Sequence, residues 1–110
     1  MRTHSPMHWP IALAVPLLVS LAAGAANHVI HQKGRAFSAD TITVARGEPV
    51  MFLNDDSVPH NIMSRTPDNA FDLGEQDPGS ATPVAFDKAG LVDVICAIHP
   101  RMHMTIRVTE

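Results

Sequence analysis

Nine residues near the end of the chain, CAIHPRMHM at 96–104, hold its only cysteine, two of its seven histidines and two of its six methionines. A thiolate, an imidazole and a thioether on one short loop can bind a soft or borderline metal ion. The alternative is a buried thiol beside ordinary core methionines, because an unpaired cysteine is by default a small buried hydrophobe. The spacing favours a metal. His99 follows Cys96 by three residues and Met102 follows it by six, so three ligand types ring one tight turn.

A fourth ligand has to come from elsewhere in the chain. His60 is the candidate, because it sits in VPHN directly after a strand-like run. One thiolate, two imidazoles and a weak thioether form the ligand set of blue-copper electron-transfer sites. Copper(I) prefers sulfur and copper(II) prefers nitrogen, so a rigid site offering both changes little on redox. Zinc takes Cys and His but is less suited to a methionine.

Strands must position these groups. Short β-rich runs alternate with turn residues at regular spacing, the pattern of an all-β sandwich. The expected strands are 28–33, 41–45, 50–54, 84–86, 91–97 and 103–109, with 64–83 mostly irregular and pinned to the core by Phe71 and Leu73. Alternation puts Val92, Val94 and Cys96 on one face of their strand. In the last strand Met104, Ile106 and Val108 face the core, while His103, Thr105 and Arg107 face solvent. This phase leaves Met102 free at the mouth of the loop. His28 and His31 read as ordinary strand residues.

Residues 1–26 have a different character. Arg2, an apolar run over 11–23 and small residues after it are laid out as a secretory signal peptide, with cleavage after Ala25 or Ala26. The run is short for a bilayer span, which needs about 20 residues, and Pro16 interrupts it. No stable membrane insertion is expected after cleavage. Residues 27–110 then make one domain with a thin core, which a bound metal would stabilise. An exported chain with a single cysteine calls for an explanation of that thiol, and metal binding is one. The formal net charge of −3 and the lack of a basic, aromatic patch exclude nucleic acid as an expected partner.

From TITVARGEPVMFLNDDSVPHN through FDKAGLVDVICAIHPRM to the last strand, the chain resembles the cupredoxin family, specifically its small plastocyanin, pseudoazurin and amicyanin members. The resemblance implies a Greek-key β-sandwich with one type 1 copper at one end. It implies His60, Cys96, His99 and a methionine as ligands, and a role for Asn61 in tying the two ligand loops together. His-Pro-x-Met resembles the amicyanin loop, which makes Met102 the expected axial ligand and Met104 the alternative. The residue after Ala97 is Ile98, where many relatives have proline, and the chain has no tyrosine.

The implied function is an exported, periplasmic, monomeric electron carrier. Its redox partner proteins would dock transiently near His99, in an apolar patch of Pro59, Met63, Ile98, Pro100 and Met102. A copper-binding protein for buffering, delivery or tolerance is the alternative. Catalysis is not expected, since copper enzymes of this fold need further histidine-rich centres and too few histidines remain.

Overall fold

The structure, a computed structural model, describes residues 2–8, 10 and 28–110. The apolar run at 11–23 and the expected cleavage point lie outside the described residues. The described residues form nine strands: β1 His28–Lys33, β2 Ala36–Phe37, β3 Thr41–Ala45, β4 Val50–Asn54, β5 Ile62–Ser64, β6 Phe71–Asp72, β7 Ala81–Val84, β8 Gly90–Cys96 and β9 His103–Thr109. They form two sheets, ordered β2-β1-β4-β7 and β3-β9-β8-β5-β6. The chain crosses repeatedly between the sheets, and β1–β4 and β3–β9 pair in parallel. The fold is the expected all-β sandwich.

Alternating side chains explain why the sheets close on each other. In β4, Val50, Phe52 and Asn54 are buried; in β8, Val92, Val94 and Cys96; in β9, Met104, Ile106 and Val108. Apart from the polar Asn54, these inward rows join Ile30, Val44, Ile62, Phe86 and Met102 in one apolar cluster. Each large side chain removed from water contributes roughly 1.5–3 kcal/mol. Phe37, Phe52, Phe71 and Phe86 run through it as a chain of contacts, with centroids 5.8–6.5 Å apart.

The stretch expected to be irregular contains β6 and β7. Phe71 and Leu73 pack against the core from it, as expected. Instead of 84–86, the strand lies at Ala81–Val84 and includes Pro83, because β7 is an outer strand, where a missing N–H can be tolerated. Phe86 is buried from the following turn, and its carbonyl accepts the Gly47 N–H at 3.0 Å. The strand that delivers Cys96 stops at that residue rather than at Ala97, whose N–H turns away to the Asn61 carbonyl at 2.9 Å. Between β1 and β2, Gly34 and Arg35 both have positive φ, 61° and 54°, as a two-residue type I′ hairpin requires.

Candidate metal centre

One end of the sandwich collects the residues singled out by spacing. β8 carries Cys96 inward at its last position, opposite Ile62 of β5. The loop beyond it closes on itself: the Met102 N–H donates to the His99 carbonyl at 2.9 Å, and the Cys96 N–H to the Met102 carbonyl at 3.1 Å. His60 enters from the β4–β5 connection. It is anchored by reciprocal backbone bonds with Gln76, at 3.0 and 2.6 Å.

Three side chains converge from these two loops. His60 Nδ1 lies 3.1 Å from His99 Nδ1, and Cys96 Sγ lies 3.8 and 3.7 Å from the two nitrogens. The rings meet edge-on, with centroids 4.9 Å apart. His60 and Cys96 are buried and His99 is half-buried. A point in the plane of the three atoms is about 2.1 Å from each, close to the bond lengths of about 2.0–2.1 Å to imidazole nitrogen and 2.3 Å to thiolate at metal sites. Two imidazole nitrogens and a sulfur facing one another in a largely buried site are best reconciled by a cation between them. The donor set and its geometry fit a copper ion.

The surrounding groups hold each donor in place. Asp56 Oδ2 lies 2.7 Å from His60 Nε2, on the far side of that ring. The Asp56 carboxylate also accepts the Gly34 N–H at 2.7 Å and the Arg35 N–H at 2.9 Å. The Asn61 N–H donates to Cys96 Sγ at 3.3 Å. Asn61 does bridge the two loops, but through its backbone: its side-chain Nδ2 turns to Asp72 and the Gly74 carbonyl, at 2.7 and 2.9 Å. Beneath His60, the Asn54 side-chain Nδ2 donates to the Val58 and Gln76 carbonyls at 2.9 and 2.8 Å. Gln76 Oε1 accepts from Gln32 at 2.7 Å, and Gln76 Nε2 donates to the Phe52 carbonyl at 2.8 Å.

Electrostatics keep the site ready for a cation. Burial, and then the neighbouring His60 and Arg35, hold His99 below the ordinary histidine range against the opposing pull of Asp56. The imidazole is therefore neutral at neutral pH and able to donate a lone pair. For Asp56, burial works to raise the pKa, but hydrogen bonds from the Arg35 amide, His60 and the Gly34 amide outweigh it and lower the value.

Both methionines are buried, Met102 and Met104 each 1% exposed. Met102 is thus not free at the mouth. It has the parity of Met104, Ile106 and Val108, and the backbone bond from Cys96 extends the β8–β9 ladder back to it. Met102 consequently drops out of the expected surface patch. Ile98 is 49% exposed, Pro100 is exposed, and Pro59 and Met63 are half-buried. His103 is exposed on β9, while His28 and His31 lie on β1 and pair with Glu48 and Asp55. Asp56, Asn54, Gln76 and Gln32 went unmarked by spacing. The inward parity of Asn54 after Val50 and Phe52, and of Gln32 after Ile30, was the available clue.

Similar architecture occurs in known proteins. A copper-containing nitrite reductase from Thermus scotoductus SA-01 superposes with a TM-score of 0.70 at 24% identity, over 76% of this chain and 22% of that one. The chain thus spans about a fifth of the reductase. A purple cupredoxin from Nitrosopumilus maritimus gives 0.67 at 23% identity, over 76% of this chain and 100% of that one. Amicyanin from Paracoccus versutus gives 0.69 at 25% identity, over 76% and 82%. Comparison with curated proteins finds no match. The family model for copper-binding proteins of the plastocyanin/azurin family matches residues 25–109. With a cysteine and two histidines gathered in copper-binding geometry inside this fold, the chain belongs to the plastocyanin/azurin family, cupredoxins with one type 1 copper that serves electron transfer.

Proposed function

We propose that the protein is an exported carrier that passes single electrons between partner proteins, with His60, Cys96 and His99 as the strong copper ligands and Met102 as the axial one. The observation that carries this reading is the triangle of two Nδ1 atoms and one Sγ, with sides of 3.1, 3.7 and 3.8 Å. When bound, copper supplies a one-electron couple between its two oxidation states. The chain's part is to change little between them. His60 is fixed from behind by Asp56, and the Asn61 amide steadies the thiolate.

His99 is the half-buried member of the three and serves as the exit for the electron. Ile98 and Pro100 beside it offer a small apolar contact, suited to brief encounters, since weak redox complexes use small interfaces. The leader-like composition of residues 1–26 supports export, and the enzyme activity of the longer nitrite reductase is not proposed for this chain.

The test is a visible spectrum of the purified protein after copper(II) is added. An intense thiolate-to-copper band, bleached by ascorbate and absent in Cys96→Ala, is the expected result. A colourless protein with a titratable thiol would overturn the reading. Export is checked separately by N-terminal sequencing of the protein from the cell envelope, where a chain still beginning at Met1 would refute cleavage.

A further inference from the structure

We propose that Asp56 is a positioning residue, which fixes the tautomer of His60 and biases the copper toward its oxidised state. The inference rests on the copper reading above and concerns how this chain's own residues tune the site. His60 is fully buried, and Asp56 Oδ2 lies 2.7 Å from its Nε2, while Nδ1 points to His99 and Cys96. A neutral imidazole has one N–H. A carboxylate can only accept, so the proton sits on Nε2 and the lone pair of Nδ1 faces the metal position.

Asp56 is itself clasped. Its two oxygens take the Gly34 and Arg35 amides, and its own N–H donates to Asn54 Oδ1 at 3.0 Å. Two successive residues with positive φ turn consecutive amides toward one anion, the arrangement of a backbone nest. The β1–β2 hairpin tip, remote in sequence from every candidate ligand, thereby sets where His60 points. A carboxylate on the outer nitrogen makes an imidazole a stronger donor. A stronger nitrogen donor favours copper(II) over copper(I), because the higher charge and harder character of copper(II) gain more from it.

The experiment compares copper-loaded wild type with Asp56→Asn and Asp56→Ala. Copper(II) affinity is expected to fall about 10- to 100-fold, within the usual range for loss of such a partner. Copper(I) affinity should fall less, so the midpoint potential rises, by about 59 mV for each tenfold change in the ratio. A folded variant with unchanged potential and affinity ratio would overturn the proposal, folding being judged by the melting of the metal-free proteins.

A second measurement needs no variant. In the metal-free wild type, where no copper occupies Nδ1, nitrogen-15 NMR of the histidine rings should find His60 protonated on Nε2, with a proton slow to exchange. Protonation on Nδ1, or an Nε2 proton that exchanges as freely as that of an exposed ring, would equally overturn it. Failure of the wild type to develop a thiolate–copper band would instead sink the copper reading itself, so the two failures are distinct.

Discussion

The amide nitrogen of Asn61 lies 3.3 Å from Cys96 Sγ, so the residue after one candidate ligand donates a hydrogen bond to another. The reverse link is also made, because the Ala97 N–H donates to the Asn61 carbonyl at 2.9 Å. The two loops are joined by main chain on both sides of the sulfur.

From this, Asn61→Ala should leave the energy of the thiolate–copper band almost unchanged, since the side chain touches neither loop's donors. Its stability should drop only slightly, because the lost bonds to Asp72 and Gly74 are exposed to water. Visible spectra and urea titrations of the variant check this. A large spectral shift would show that the side chain, not the backbone, organises the site.

The two buried methionines are separable. Both Met102→Ala and Met104→Ala should lose about 2–5 kcal/mol, the usual range for emptying a core position. Only Met102→Ala should also alter the visible spectrum and raise or lower the potential. If Met104→Ala carries the spectral change instead, the axial assignment moves to that residue.

Asn54 is fully buried and donates to the Val58 carbonyl, in the loop that holds His60, and to the Gln76 carbonyl, in the connection that pairs with His60. Asn54→Leu conserves most of the volume but leaves the Val58 carbonyl and the Asp56 N–H without their partner, at a cost of about 1–3 kcal/mol for each buried group left unsatisfied, while the Gln76 carbonyl keeps the His60 N–H. Denaturant unfolding of the metal-free variant measures the loss. Its copper release to a chelator should also be faster than that of wild type.

Asp72 gives the molecule an acid-side dependence. The bonds from Asn61 Nδ2 and the Gly74 N–H hold its pKa below the ordinary carboxylate value. A carboxylate that binds its proton less readily when folded stabilises the fold above its unfolded pKa, near 3.9. That contribution fades as pH falls through the lower folded value. Urea midpoints between about pH 3 and 6 should therefore fall less steeply in Asp72→Asn than in wild type. Parallel curves would assign the acid sensitivity to other groups.

The parts of the site legible in sequence were those written locally. Cys96, His99 and Met102 share one loop, and the alternation of β8 aims the sulfur inward without any tertiary knowledge. His60 was found by its place after a strand. The depth of Met102 is not legible in the sequence, because the strand boundary expected at His103 hides a ladder that continues back to Met102 opposite Cys96. Asp56 could not be read at all, because its role depends on a hairpin tip some 20 residues earlier folding over the loop. The strands at 71–72 and 81–84 were obscured by turn-rich composition, which pairing with β5 and β4 overrides.

The outer strands bear on how copies of this chain meet in a concentrated solution. β2 and β6 are two residues long, and β7 carries Pro83. A neighbouring chain seeking to extend either sheet finds little unpaired backbone there. The one longer margin, β3, is flanked by the opposite charges Asp40 and Arg46. Short or proline-bearing borders of this kind resist lateral stacking of chains into aggregates.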